Sequence, residues 1–501
     1  MYPNVSRRSV LVMTLVLTIA VWTACSKMSV SGNTSASSDA EKVPITTKSN
    51  EARAEFLQGR ALSEKLLAHD SLQHLDKAIV LDPDFAMAEL ARANSSPTAK
   101  EFFEHLNKAV ALSDKASEGE KVFILANQAA SNGDLVQQKE LLDKLVAEYP
   151  NDERVHFALG GYYFGQQKLD LAIEQYKKAT ELAPNYSPAY NIVGYAYRQQ
   201  GDYADAEQAF KKYIELIPND PNPYDSYGEL LLKMGRFDDS IAQYHKALAI
   251  DPHFVPSHFG ISADLLYLGK PAQADAELQQ MAGLARNDGE LRTALFGMAV
   301  VAADGSNFNK AAQDLDKEYA VAEKKNDLAS MAADLQAKGN ILAQTPNLAQ
   351  AQQAFDRSLE LMESSNLSQE IKDNAKLLHH YNLAGLDISR KDYAAAKQEA
   401  DEFQQGAAVS KNPAQSKQAH ELTGRIALAQ KDYDKAIAEL QQANLQNPQN
   451  LYFLGLAYQG KGNSAEAKEF CVKAAEFNSL PQLNYAFVRV KAQKAASGKK
   501  A

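Results

Sequence analysis

The chain has a single tryptophan, Trp22, and only two cysteines, Cys25 and Cys471. So few thiols exclude a disulfide framework, and stability must come from packing. Runs of strand-forming residues are scarce, while Ala, Leu, Gln, Glu and Lys dominate, which makes the chain all-α. There is no excess of basic residues: the net charge is −10, and a nucleic acid, which needs a basic face, is not an expected partner. No G-x-S-x-G elbow is present. Gly160, Gly161 and Gly165 lack the preceding strand and the following Lys-Ser/Thr of a phosphate loop. The apolar run Val10 to Trp22, broken only by Thr, has 13 residues, too few to span a bilayer comfortably.

What is present is a beat. Pro150, Pro184, Pro218 and Pro252 stand 34 residues apart, as do Gly160, Gly194 and Gly228. Leu142, Tyr176, Phe210, Tyr244 and Leu278 keep the same step of 34, with Ala172, Ala206, Ser240 and Ala274 each four positions before the last four of them. A fixed period of this size is the signature of a stacked repeat architecture. It resembles the tetratricopeptide repeat, a pair of antiparallel helices. In that family small residues occupy the close approach between the two helices, larger apolar residues fill the core, and proline ends the second helix. The resemblance implies an α-solenoid, a right-handed superhelix of about a dozen helix-turn-helix units, each packing on its neighbours. In register are units 153–186, 187–220, 221–254 and 417–450, with weaker ones between. Tyr213 is large where the family carries Ala, so a looser or shifted joint is expected there.

The expected organisation is a targeting segment at 1–24, a flexible Ser/Thr-rich tether at 25–50 and an N-terminal array at 51–288. An irregular helical connector at 289–330, a C-terminal array at 331–480, and a capping helix and tail at 481–501 complete it. Arg7 and Arg8 precede the apolar run, and Thr23-Ala24-Cys25-Ser26 follows it. This resembles the lipobox of bacterial lipoproteins and implies cleavage after Ala24 and lipid on Cys25, although Trp22 departs from the aliphatic residue usual there. Ordinary secretory cleavage near Ala36 is the rival reading. Cleavage before Cys25 removes Arg7 and Arg8 and takes the net charge from −10 to −12. Ser26 after the Cys points toward the outer membrane, periplasmic face, with secreted or periplasmic as the alternative.

Four of the ten histidines, His156, His258, His380 and His420, fall at the same position of their units, where Tyr190 and Tyr224 stand in sister units. They read as packing residues on first helices, and Cys471 as a core residue. No metal ligand set, cofactor site or catalytic constellation is evident. A hydrolase would require His379, His380 and Asp387 to converge.

In the tetratricopeptide family the first helices line the concave surface. The resemblance places Phe157 and Phe164, then Asn191, Tyr195 and Arg198, then Asp225 and Glu229, then Phe259 and Tyr267 on that surface. The Lys and Asn with which some members grip a peptide carboxylate are not reproduced. The expected function is a non-enzymatic protein-protein interaction scaffold in the bacterial cell envelope. Its partner segment would carry an apolar anchor and a nearby basic residue, because aromatics and Arg anchor interfaces. The competing reading is that these aromatics pack on neighbouring helices. A peptidoglycan or polysaccharide binder, stacking sugars on Tyr195, Phe259 and Tyr267, is the functional alternative.

Overall fold

A computed structural model describes residues 41–498. The targeting segment, Cys25, the tether up to residue 40 and the last three residues lie outside the described residues. Among the described residues there is no strand, and no helix is long and apolar enough to cross a membrane.

The helices follow in consecutive pairs. They are α1 (Asn50–Glu64) with α2 (Ala68–Leu81), α3 (Ala86–Asn94) with α4 (Ala99–Leu112), α5 (Glu118–Asn132) with α6 (Leu135–Glu148), and α7 (Glu153–Gly165) with α8 (Leu169–Leu182). Next come α9 (Ser187–Gln200) with α10 (Tyr203–Leu216), α11 (Asn222–Lys233) with α12 (Phe237–Ile250), α13 (Val255–Tyr267) with α14 (Pro271–Leu284), and α15 (Asp288–Asp304) with α16 (Phe308–Lys324). The last pairs are α17 (Leu328–Leu342) with α18 (Leu348–Ser364), α19 (Gln369–Arg390) with α20 (Tyr393–Ser410), α21 (Pro413–Ala429) with α22 (Tyr433–Leu440), and α23 (Pro448–Lys461) with α24 (Ser464–Ala475). Two short helices, α25 (Leu483–Ala486) and α26 (Arg489–Ala496), end the described chain.

Short polar residues start these helices by accepting otherwise unpaired N–H groups. Asp152 caps α7, Asp202 caps α10, and Ser117 with Glu120 forms a reciprocal capping box on α5. Within a pair, the small residue of the first helix faces an aromatic of the second. A Cβ added to Gly228 would stand 2.8 Å from the Tyr244 ring, and one added to Gly339 only 2.4 Å from that of Phe355. Glycine is therefore a steric requirement at these crossings, and it lets the rings of Tyr244 and Phe355 fill the space beside the partner backbone. The histidines add polar staples. His258 Nδ1 lies 2.6 Å from Glu277, His380 Nδ1 2.6 Å from Glu399, and His420 Nδ1 2.7 Å from Glu439. Each of these links the first helix of a pair to its second, so the rings bond as well as pack.

The chain forms two compact units: residues 41–230 with 239–257, and residues 231–238 with 258–498. The division falls across α11 to α13, not at 289–330. The expected helical connector consists of α15 and α16, with 17 residues each. Their packing is ordinary: a Cβ on Gly297 would meet Leu278 at 2.8 Å and Phe259 at 2.9 Å. Helices longer than those of the 34-residue units displace the motif from its period, and the pattern fades although the pairing continues. Tyr213 causes no loosening. It is wholly buried, and its hydroxyl accepts a 2.8 Å hydrogen bond from Asn222 Nδ2.

Both ends of the described chain depart from expectation. Residues 43–47 are extended and the segment is seated on the first unit, with Val43 only 3% exposed, where a flexible tether was expected. Residues 481–488 are buried in the second unit, where a polar capping helix was expected. The reason is compositional: Pro481, Leu483, Tyr485, Phe487 and Val488 are too apolar for a solvated end.

Candidate partner-binding faces

The surface expected on α7, α9, α11 and α13 is largely internal. Phe157 is fully buried, with its ring 5.4 Å from Tyr176 and edge-on to Tyr186 at 5.6 Å. Phe259 is 6% exposed and Asn191 7%. These residues supply core volume, so the reading of Phe157 and Phe259 as contact anchors is corrected by their burial. The first helices pack side by side closely enough to enclose them.

Asp225 and Glu229 are also buried, at 5% and 4% exposed, and they are occupied by neighbouring repeats. Ser257 Oγ donates to Asp225 Oδ1 at 2.8 Å. Arg198 Nη1 donates to Glu229 Oε2 at 2.8 Å, and its guanidinium lies 4.6 Å from the centre of the Tyr195 ring. Tyr195 in turn donates to Ser226 Oγ at 3.2 Å. These bonds join residues 31 or 32 apart, so they tie each first helix to the next. Burial, with the nearby Glu229 charge, pushes the Asp225 carboxyl well above the usual carboxylate range, against the pull of the Ser257 hydrogen bond. Of the nine expected contact residues, Phe164, Tyr195, Arg198 and Tyr267 are half-buried.

Tyr267, the ninth, is partly covered by the chain itself. Its hydroxyl donates to the Ser479 carbonyl, its ring lies 5.5 Å from Tyr485, and the Arg489 guanidinium sits 5.4 Å from it. Arg489 is anchored by Asp304 at the end of α15, through Nε to Oδ1 at 2.7 Å and a second, shorter contact. Lys233 Nζ stands 3.9 Å from the centre of the Phe477 ring. The C-terminal segment thus occupies the first-helix face of the second unit. Of the three aromatics expected to stack on a sugar, Phe259 is enclosed, while Tyr195 and Tyr267 are half-buried.

The first unit carries a segment too, on a different edge. Three carboxylates at successive repeat boundaries accept three amides of the extended chain. Asp152 Oδ2 takes the Val43 N–H at 2.9 Å, Glu120 Oε1 the Thr46 N–H at 2.8 Å, and Asp82 Oδ2 the Lys48 N–H at 2.9 Å. Arg154 Nη2 donates to the Val43 carbonyl at 3.1 Å, and Arg154 is itself oriented by Asp152 through Nε to Oδ1 at 2.7 Å. Lys42 Nζ is 2.7 Å from Glu153. Against the upward push of burial, the Arg154 hydrogen bond and charge hold Asp152 below its usual range. Asp82 is held low in the same way by the Thr47 hydroxyl and the Lys48 amide. Asp152 and Glu120 are the same side chains that cap α7 and α5, so helix capping and segment binding use opposite oxygens of one carboxylate. The sequence-level signal for this edge is the alternation of Val43, Ile45 and Thr47 facing in with Pro44, Thr46 and Lys48 facing out, a strand period inside a polar stretch.

Each of the residues a hydrolase would need has a partner of its own. His380 bonds Glu399, His379 Nε2 lies 3.3 Å from Asp356, and Asp387 pairs with Arg390 at 3.0 Å. Among the described residues no group of His, Cys, Asp or Glu is arranged to hold a metal ion. Cys471 is buried under Gly455, and burial raises its thiol.

Paired helices stacked in sequence order on a 34-residue beat define an α-solenoid repeat protein. Tetratricopeptide repeat family models match residues 125–187, 157–221 and 381–451, then 197–265, and then 448–479. The chain is a tetratricopeptide repeat protein. Among solved structures it is similar to a thermophilic tetratricopeptide repeat protein of Thermus thermophilus, at 23% identity over 36% of this chain and 99% of that one, TM-score 0.32. A tetratricopeptide repeat protein of Parabacteroides merdae is similar at 13% identity over 57% of this chain and 100% of that one, TM-score 0.34. MamA protein is similar at 22% identity over 33% and 91%, TM-score 0.28. No curated protein matches the chain.

Proposed function

We propose that the protein is a non-enzymatic interaction scaffold, held in a bacterial envelope by lipid on Cys25, that gathers other proteins on its repeat array. The observation that carries this reading is the use of polar clusters to hold helix to helix, within repeats and between them. Arg198 with Glu229, Asp225 with Ser257, and the histidine staples all serve packing. What is left for function is surface. The half-buried Phe164, Tyr195 and Arg198 lie on α7 and α9. An aromatic and arginine set of this kind anchors protein partners. The partner would bring an apolar side chain to Phe164 and Tyr195, and a carboxylate or carbonyl to Arg198.

Crosslinking in native membranes, followed by identification of the captured proteins, tests the reading. Capture should fall at least about tenfold in a Phe164→Ala chain that melts like the parent, the loss expected when an interface anchor is truncated. Undiminished capture by that variant removes Phe164 from the interface.

A further inference from the structure

The edge formed by Asp82, Glu120, Asp152 and Arg154 is built as a peptide site. We propose that residues 41–49 are its resident pseudo-ligand, and that the site receives in their place an extended partner segment in which a lysine precedes a β-branched apolar residue. This goes beyond the face on α7 and α9, since it uses other residues.

Three features point to a ligand rather than to a simple strap. First, recognition is by main chain. Three amides of the segment are satisfied by carboxylates from three separate turns of the array, and one carbonyl by Arg154, beside Asp152. Backbone recognition of that kind suits any extended chain, as in strand-addition modes of peptide binding. Secondly, the carboxylates sit at the starts of α5 and α7 and the end of α2. The steps of the segment from 43 to 46 to 48 therefore match the advance from one repeat to the next. Thirdly, side-chain selectivity is confined to one end. Val43 is buried, Lys42 meets Glu153, and the Arg154–Asp152 pair fixes the carbonyl and amide between them. Pro44 and Thr46 face solvent and select nothing. The chemistry that fits is therefore lysine followed by valine, isoleucine or threonine in an extended chain. The acidic surroundings of Asp82, Asp84, Glu120 and Glu153 disfavour an acidic segment.

Covalent attachment to α1 gives residues 41–49 a high effective concentration at the site, so a free peptide must compete with them. The test uses the full chain and a fluorescein-labelled peptide with the sequence of Glu41–Ser49. Val43→Asp places a carboxylate beside Asp152 and Glu153 and should release the resident segment. The variant is expected to bind the labelled peptide at least about tenfold tighter than the parent does, because the competitor has been removed. A peptide carrying Glu for the lysine and Asp for the valine should not bind.

A Val43→Asp chain that keeps its circular dichroism and melting yet binds no better than the parent overturns the proposal. So does filling of the opened site by a second copy, seen as a dimer of variant with parent chain. If Val43→Asp does not fold, amide exchange on the unmodified chain decides. Millimolar peptide should accelerate exchange at Val43, Thr46 and Lys48, and no acceleration overturns the proposal. None of these outcomes bears on Phe164 and Arg198, so failure here and failure of the scaffold reading can be told apart.

Discussion

Phe157→Ala is expected to destabilise the chain by about 3–5 kcal/mol, the usual cost of removing an enclosed aromatic. Urea unfolding would show it as a lower midpoint, and any loss of partner binding should track that loss. The sequence placed Phe157 on a first helix, and that placement holds. It could not tell that the ring points between Tyr176 and Tyr186, because a helix shows its neighbours only after the pairs are stacked. Asp225 carries a second prediction at this scale. Burial raises its pKa in the folded chain, so the fold holds a proton that the unfolded chain releases above the ordinary carboxylate range. Its contribution to stability is present below that range and is lost as pH rises toward the raised value. Asp225→Asn should therefore gain in melting temperature relative to the parent at pH 8 and show little difference near pH 4, as followed by thermal melts across pH. A difference that does not grow with pH would place the titration elsewhere.

At the scale of elements, the C-terminal segment is the clearest departure from expectation. Leu480 to Ala496 has the length of a helix, and in sequence it reads as a cap. Its density of aromatic and aliphatic residues instead drives it into the second unit, leaving α25 only four residues and α26 eight. The Arg489–Asp304 pair that pins it is mostly buried, and removing one member strands the other. Arg489→Ala should cost about 3–5 kcal/mol locally. Hydrogen exchange would report it as lost protection in residues 477–496 and at the end of α15, with α1 to α8 unchanged. The helix crossings make a further test. Any side chain at Gly339 collides with Phe355, so Gly339→Ala should force that ring to move and lower stability by about 1–3 kcal/mol, the range for overpacked cores. This crossing was legible in the sequence because one small and one large residue recur at fixed spacing. The histidine staples are only half legible: their common position shows in the period, but their contacts with Glu277, Glu399 and Glu439 do not.

At the scale of the whole molecule, the proposed anchor and the array are separable. If Cys25 carries lipid, the mature chain should enter the detergent phase of a phase-separating detergent, and Cys25→Ser should move it to the aqueous phase. Mass spectrometry giving an unmodified N-terminus near Asp39 would refute the anchor. The sequence by itself determined the helical class, the pairing and the period. These arise from contacts within a unit and between adjacent units, and short-range contacts leave a regular mark on the chain. Only the tertiary structure decided where the array divides, which first-helix residues face water, and which faces the chain's own ends cover. Those outcomes depend on contacts between residues far apart in sequence, such as Val43 with Asp152, Tyr267 with Ser479 and Asp304 with Arg489. No period records such contacts, because each is made once.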